Sequence, residues 1–175
     1  LDKDASGLMV IALTQESYDM LKKQFQKRTI YKEYSVLAHG LIEDEIGTID
    51  FPIARSKQGG KMAARPNSQE GKESITNWEI EKKYANATLL KITPKTGRTH
   101  QIRVHLFAID HAVVGDPLYH HKRQNQKLDE NAGRLFLHAK KIAFINLKGE
   151  QKEYESSLPK KLQTLLQSLT PKNKS

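Results

Sequence analysis

The sequence predicts an α+β fold, a largely antiparallel mixed sheet flanked by helices. Two observations predict it: extended segments outnumber helical ones, and several are joined by short turns of the hairpin kind. At 175 residues and 37% apolar content the chain suits one domain with its own core.

Residues 8–13, Leu-Met-Val-Ile-Ala-Leu, read as a fully buried strand, and Thr14 caps a helix whose Tyr18, Leu21 and Phe25 share one face. Residues 31–39 are extended, with Tyr34, Val36 and Ala38 on one side. The acidic turn Glu43-Asp44-Glu45 and Gly47 then suggest a hairpin. Residues 55–65 hold four cations, Gly59-Gly60 and no acid, which reads as a mobile basic loop between strands. Residues 74–84 and 87–93 follow as paired strands, with Thr76, Trp78 and Ile80 alternating against polar neighbours. Pro94 and Gly97 end the second of these, and Thr99 caps a helix that points Ile102, Leu106 and Ile109 at the core. Arg103, one residue past Ile102, is expected off the middle of the buried stripe, where its fork can pair with a carboxylate or phosphate. Residues 112–117 step into a tight turn, and 120–130 read as an exposed polar loop. Residues 134–139 and 141–147 are late strands with a turn at Lys148-Gly149. Pro159 opens a last helix carrying Leu162, Leu165, Leu166 and Leu169. The domain spans 1–170 and a basic tail 171–175.

Twenty-nine Lys and Arg against 20 Asp and Glu give a formal charge of +9, which favours a polyanionic partner. The chain has no cysteine, which removes disulfides, thiolate metal sites and Cys nucleophiles, and its apolar runs are too short to span a bilayer. A cytoplasmic location and a monomer are the expectations.

Asp2-Lys3-Asp4-Ala5-Ser6-Gly7 copies the first half of a calcium loop, but Leu13 stands where the bidentate carboxylate is required. The aspartate pair also suits a magnesium-dependent aspartyl-phosphate phosphatase, except that its apolar strand follows the pair instead of preceding it. His100 and His105 are five apart, turned about 140° around a helix, and so cannot chelate one ion as an i, i+4 pair does. His105 and His138 read as satisfied interior imidazoles, and His120-His121-Lys122-Arg123 as a solvated loop. Tyr34 alone is as easily a core aromatic as a functional one.

Taken together, these residues resemble the RluA-type pseudouridine synthases over almost the whole chain. Leu1-Asp2-Lys3-Asp4-Ala5-Ser6-Gly7-Leu8 is similar to the family's active-site motif, with Ala5 where Thr is usual. Arg28-Thr29-Ile30-Tyr31-Lys32-Glu33-Tyr34 is similar to the second motif. Gly97-Arg98-Thr99-His100-Gln101-Ile102-Arg103-Val104-His105 is similar to the third, followed by Gly115-Asp116-Pro117-Leu118-Tyr119 and Leu137-His138-Ala139. The resemblance implies a partial synthase-like catalytic core that isomerises uridine to pseudouridine in ribosomal or transfer RNA. It makes Asp2 the catalytic carboxylate, Arg103 its two-pronged partner, and Tyr34 the residue that stacks on the base or helps remove a proton. It implies no metal or organic cofactor. Arg55, Lys57, Lys61, Arg65, Arg98 and His100 are the expected RNA contacts, since holding a flipped nucleotide needs backbone clamps. The family's domain normally begins with several strands and a His-Arg pair ahead of the aspartate. The resemblance therefore implies that an N-terminal portion is missing and that Asp2 lies near a fraying end. An RNA-binding remnant without turnover is the other class of function this leaves.

Overall fold

The structure is a computed structural model that describes residues 1–56, 61–65, 70–122 and 124–172. Its elements are β1 (Ser6–Gly7), α1 (Gln15–Gln26), β2 (Tyr31–His39), β3 (Ile46–Ile49), β4 (Ile53–Arg55), β5 (Met62–Ala64), β6 (Thr76–Lys83), β7 (Ala87–Pro94), α2 (Gln101–Ala108), α3 (Gln126–Ala132), β8 (Leu137–Ile145), β9 (Gln151–Glu155) and α4 (Lys160–Ser168). The main sheet runs β1-β8-β2-β7-β6-β3, with β9 also on β8. Every pairing is antiparallel except β1 with β8, and β4–β5 forms a separate hairpin. The predicted α+β class is what the chain adopts.

Both faces of the central strands are covered, which is why β2 reads as a run of apolar residues and not a strict alternation. Val36, Ala38, Leu90, Ile92 and Leu137 pack with Ile102 and Leu106 of α2 on one face. Leu37, Leu89 and Phe136 pack with Leu128 and Ala132 of α3 and Leu162 and Leu165 of α4 on the other. Thr14 caps α1 as predicted, accepting from Ser17 N while Ser17 Oγ bonds back to the Thr14 backbone. The β6–β7 and β8–β9 hairpins also form, the latter around Lys148-Gly149.

Five expectations are corrected. Residues 8–13 form no strand: Leu8, Val10 and Ala12 pack near Leu21, Ile30 and Ile142, while Met9, Ile11 and Leu13 face outward at 63%, 66% and 90% exposure. β2 pairs with β7 and β8, so the hairpin expected after it does not form, and β3 pairs with β6 instead. Within the polar stretch 120–130, Asn125 caps α3 by accepting from Leu128 N. Residues 134–139 and 141–147 are not two strands, because β8 is continuous through a bulge at Lys140. The basic tail is not free from its start: Pro171 bridges Tyr84, and Lys172 N donates to Lys83 O.

His105, wholly buried, is the satisfied imidazole the sequence suggested. Its Nε2–H donates to Phe51 O, a carbonyl that can only accept, so Nδ1 accepts from Thr76 Oγ1. Burial holds its pKa below the usual value near 6.5. The folded state thus resists a proton that the unfolded chain takes, and the stability due to a neutral His105 is present above about pH 6.5 and lost as pH falls below it. Thermal melts at pH 7.5 and pH 5.5 are expected to differ, the acid sample melting lower, with the difference reduced in His105→Gln.

Candidate active site

The turn ahead of α2 is built by two buried polar side chains. Thr96 Oγ1 accepts from Ile75 N and donates to Gln101 Oε1, which also accepts from Arg98 N. Gln101 Nε2 donates to Ile75 O and Thr76 Oγ1. This clasp, and not Thr99, fixes the start of the helix. Position 100 is the N-cap residue, in the left-handed conformation at φ 56° and without a side-chain cap. Residues 101–106 are all buried, so α2 has no exposed stripe.

Arg103 therefore does not lie beside the core but inside it, at 2% exposure. Its fork grips Asp116: Nε to Oδ2 at 2.7 Å and Nη2 to Oδ1 at 2.8 Å. Asp116 Oδ1 also accepts from Leu118 N and Tyr119 N, and the guanidinium lies over the Tyr119 ring at 5.1 Å. The third nitrogen, Nη1, donates to Asp2 Oδ2 at 3.2 Å. The expected Asp2–Arg103 contact exists, but the two-pronged bond belongs to Asp116. Burial opposes the Arg103 charge, yet the hydrogen bonds and charges of Asp116 and then Asp2 hold its pKa above the ordinary range.

Asp2 is anchored, against the expectation of a frayed end. Ala5 N closes a turn onto Asp2 O, Ser6 Oγ donates to His138 Nδ1, and Leu8 N donates to Ala139 O. His138, buried as expected, uses Nε2–H on Ser156 O. Gly7, at φ 106°, comes so near β8 that a Cβ there would lie 2.2 Å from Ala139 O, so only glycine brings this turn against the strand.

Asp2 and Tyr34 line one cleft of about 790 Å³, together with Phe25, Arg28, Lys32, Lys95, Arg98 and Ile102. Tyr34 sits where the bulge at Lys140 shifts the β2–β8 register, a device that re-aims a side chain. Burial, and then the Asp2 carboxylate, push its phenol up, so it stays un-ionised at neutral pH. Burial pulls the Lys32 ammonium down.

Of the expected RNA contacts, Arg98 lines this cleft, and its Nε donates to Glu73 O. His100 is half-buried, its Nδ1 2.9 Å from the Tyr119 hydroxyl, which accepts from Met62 N. Arg55, Lys61 and Arg65 lie on or beside the β4–β5 hairpin, outside the lining of the cleft. Lys61 donates to Leu118 O. Lys57 lies outside the described residues. Asp116, Tyr119, Arg28 and Lys32 join the site without having been singled out as functional. The signal for Asp116 was its place before Pro117-Leu118-Tyr119, whose backbone N–H groups an aspartate readily accepts. Among the described residues no cluster of three or more His, Asp or Glu could hold a metal, and no helix is long and apolar enough to cross a membrane.

The sequence profile of a family described as RNA pseudouridylate synthase matches residues 1–108. The chain is 37% identical over 172 residues to ribosomal large subunit pseudouridine synthase C of Haemophilus influenzae, covering 97% of this chain and 53% of that protein. It is 33% identical over 178 residues to ribosomal large subunit pseudouridine synthase D of Zymomonas mobilis, covering 99% and 56%. The solved structure of human RNA Pseudouridylate Synthase Domain Containing 1 superposes with a TM-score of 0.83 at 28% identity, covering 98% of this chain and 72% of that one. The chain spans about half the length of the curated relatives it matches.

Proposed function

The chain belongs to the RNA pseudouridylate synthase family, and from that premise we propose that residues 1–170 act as a catalytic domain that isomerises uridine to pseudouridine in structured RNA, with Asp2 as the catalytic carboxylate. The observation that carries the reading is Asp2 itself: a carboxylate open to a cleft, holding one hydrogen bond from a buried arginine, with a protonated tyrosine lining the same space. In the isomerisation the N1–C1′ bond breaks, the base turns, and C5 bonds to C1′. C5 gives a proton to solvent and N1 takes one up. Asp2 keeps lone pairs free to act on the sugar or base, while Arg103, immobilised by Asp116, keeps the carboxylate oriented. Tyr34 supplies a face for the extruded base or a group for proton transfer.

The names of the relatives point to ribosomal RNA of the large subunit as the substrate, with transfer RNA as the other class. Arg98 and the basic β4–β5 hairpin are suited to phosphates of the backbone on either side of the flipped base.

The reading is tested with transcribed RNA carrying tritium at C5 of uridine. The chain is expected to release tritium to water without added metal, and Asp2→Ala to release none. Binding without release would support an RNA-binding module, and magnesium-dependent orthophosphate from a phosphate ester would support a phosphatase.

A further inference from the structure

Arg28 breaks a local rule at the wall of the cleft. Helix α1 ends with Arg28 N donating to Phe25 O and Thr29 N to Gln24 O, the paired closure that calls for glycine at the left-handed position. Arg28 occupies that position at φ 58°, where a side chain is disfavoured. Its guanidinium reaches a carboxylate through two nitrogens, Nη2 to Glu73 Oε2 at 2.5 Å and Nη1 to Oε1 at 3.4 Å. The backbone of Glu73 is held too, its carbonyl accepting from Arg98 Nε at 3.1 Å. Lys32, which lines the same cleft, has its ammonium near the Gly97 turn and makes no hydrogen bond or ion pair among the described residues. Arg28 thus grips a carboxylate that is itself 59% exposed, while Arg98 holds the same residue by its carbonyl and Lys32 lines the cleft beside them. An exposed ion pair contributes little to folding and is easily exchanged. An arginine fork that holds a carboxylate holds a phosphate in the same way.

We propose that Arg28, Lys32 and Arg98 form a receptor for one phosphate of the RNA backbone, and that Glu73 is the internal anion this phosphate displaces. The inference rests on the RNA-modifying reading of the same cleft and adds a place where the strand is gripped next to Asp2 and Tyr34. The strained backbone of Arg28 is then the cost of aiming a cation into the cleft from a helix end. Glu73 keeps the receptor formed and occupied, so that only an anion with more charge to offer, in register with the cleft, gains the site.

The test is equilibrium binding of a fluorescein-labelled RNA hairpin with uridines in its loop, read by anisotropy across a salt series. Four proteins are compared: parent, Glu73→Gln, Arg28→Gly and the double variant. Glu73→Gln is expected to bind about threefold more tightly. Arg28→Gly is expected to bind about tenfold more weakly, with a salt slope shallower by roughly 0.7 to 0.9, one phosphate contact. The double variant should match Arg28→Gly. Because glycine suits the left-handed position, Arg28→Gly should melt no lower than the parent, which separates lost binding from lost folding. A Glu73→Gln gain that persists in the Arg28→Gly background would reduce Glu73 to a net-charge effect and overturn the proposal. So would an Arg28→Gly protein that binds like the parent. Tritium release with no Glu73→Gln gain sinks this site alone. The binding pattern without tritium release sinks the catalytic reading alone, and failure of the parent to bind RNA sinks both.

Discussion

Asp116→Ala is expected to lower the melting temperature by roughly 10 °C, because it leaves the Arg103 guanidinium buried without the partner that takes two of its nitrogens. Removing one member of a buried ion pair costs about 3 to 5 kcal/mol, and a protein of this size loses roughly 2 to 4 °C for each. The carboxylate also organises its own turn, accepting from Leu118 N and Tyr119 N, so two backbone donors lose their acceptor together with the arginine. Tyr119 would loosen with them, and with it the bond from Met62 N that ties down the β4–β5 hairpin. Thermal unfolding followed by circular dichroism measures the loss. An unchanged melting temperature would mean that Arg103 finds another anion, and the account of a fixed arginine behind Asp2 would fail.

Asp2→Asn should behave in the opposite way. It is expected to cut tritium release on the order of a thousandfold or more, the scale on which an essential catalytic group is lost. Its melting temperature should move little, since one hydrogen bond of ordinary strength contributes about 1 kcal/mol and Arg103 keeps Asp116. On the proposed reading the two variants are expected to dissociate structure from chemistry, the Asp116 carboxylate acting on the fold and the Asp2 carboxylate on the reaction. If Asp2→Asn kept most of the tritium release, a different residue would have to supply the carboxylate.

What was legible in the sequence is what local chemistry decides. Thr14 with Ser17, the alternation in β6 and the Lys148-Gly149 turn each declare themselves within a few residues. The grouping of Asp2, Tyr34 and Arg103 was legible only through resemblance, because their contacts span up to 101 residues of sequence. The pairing of Arg103 with Asp116 escaped for a related reason: only tertiary packing decides which of two carboxylates receives the fork. Helix α2 shows no periodic stripe because it is buried all round, so Arg103 could not be placed by pattern. Strand β8 reads as two pieces because the bulge at Lys140 breaks its alternation. Helix α3 hides among polar residues, with only Leu128 and Ala132 buried. The apolar run 8–13 misleads because apolar content marks burial, and there only every second residue is turned inward.

That same segment governs how the chain behaves in bulk. Met9, Ile11 and Leu13 present a row of exposed apolar side chains in a segment that belongs to no strand, the kind of oily surface through which copies of a protein associate. The surplus of nine positive charges is the counterweight, a long-range repulsion that keeps copies apart in dilute buffer. Ionic strength erases the repulsion and leaves the oily row untouched. High salt is thus the condition under which the protein's colloidal stability is poorest, and low salt the one under which it keeps best.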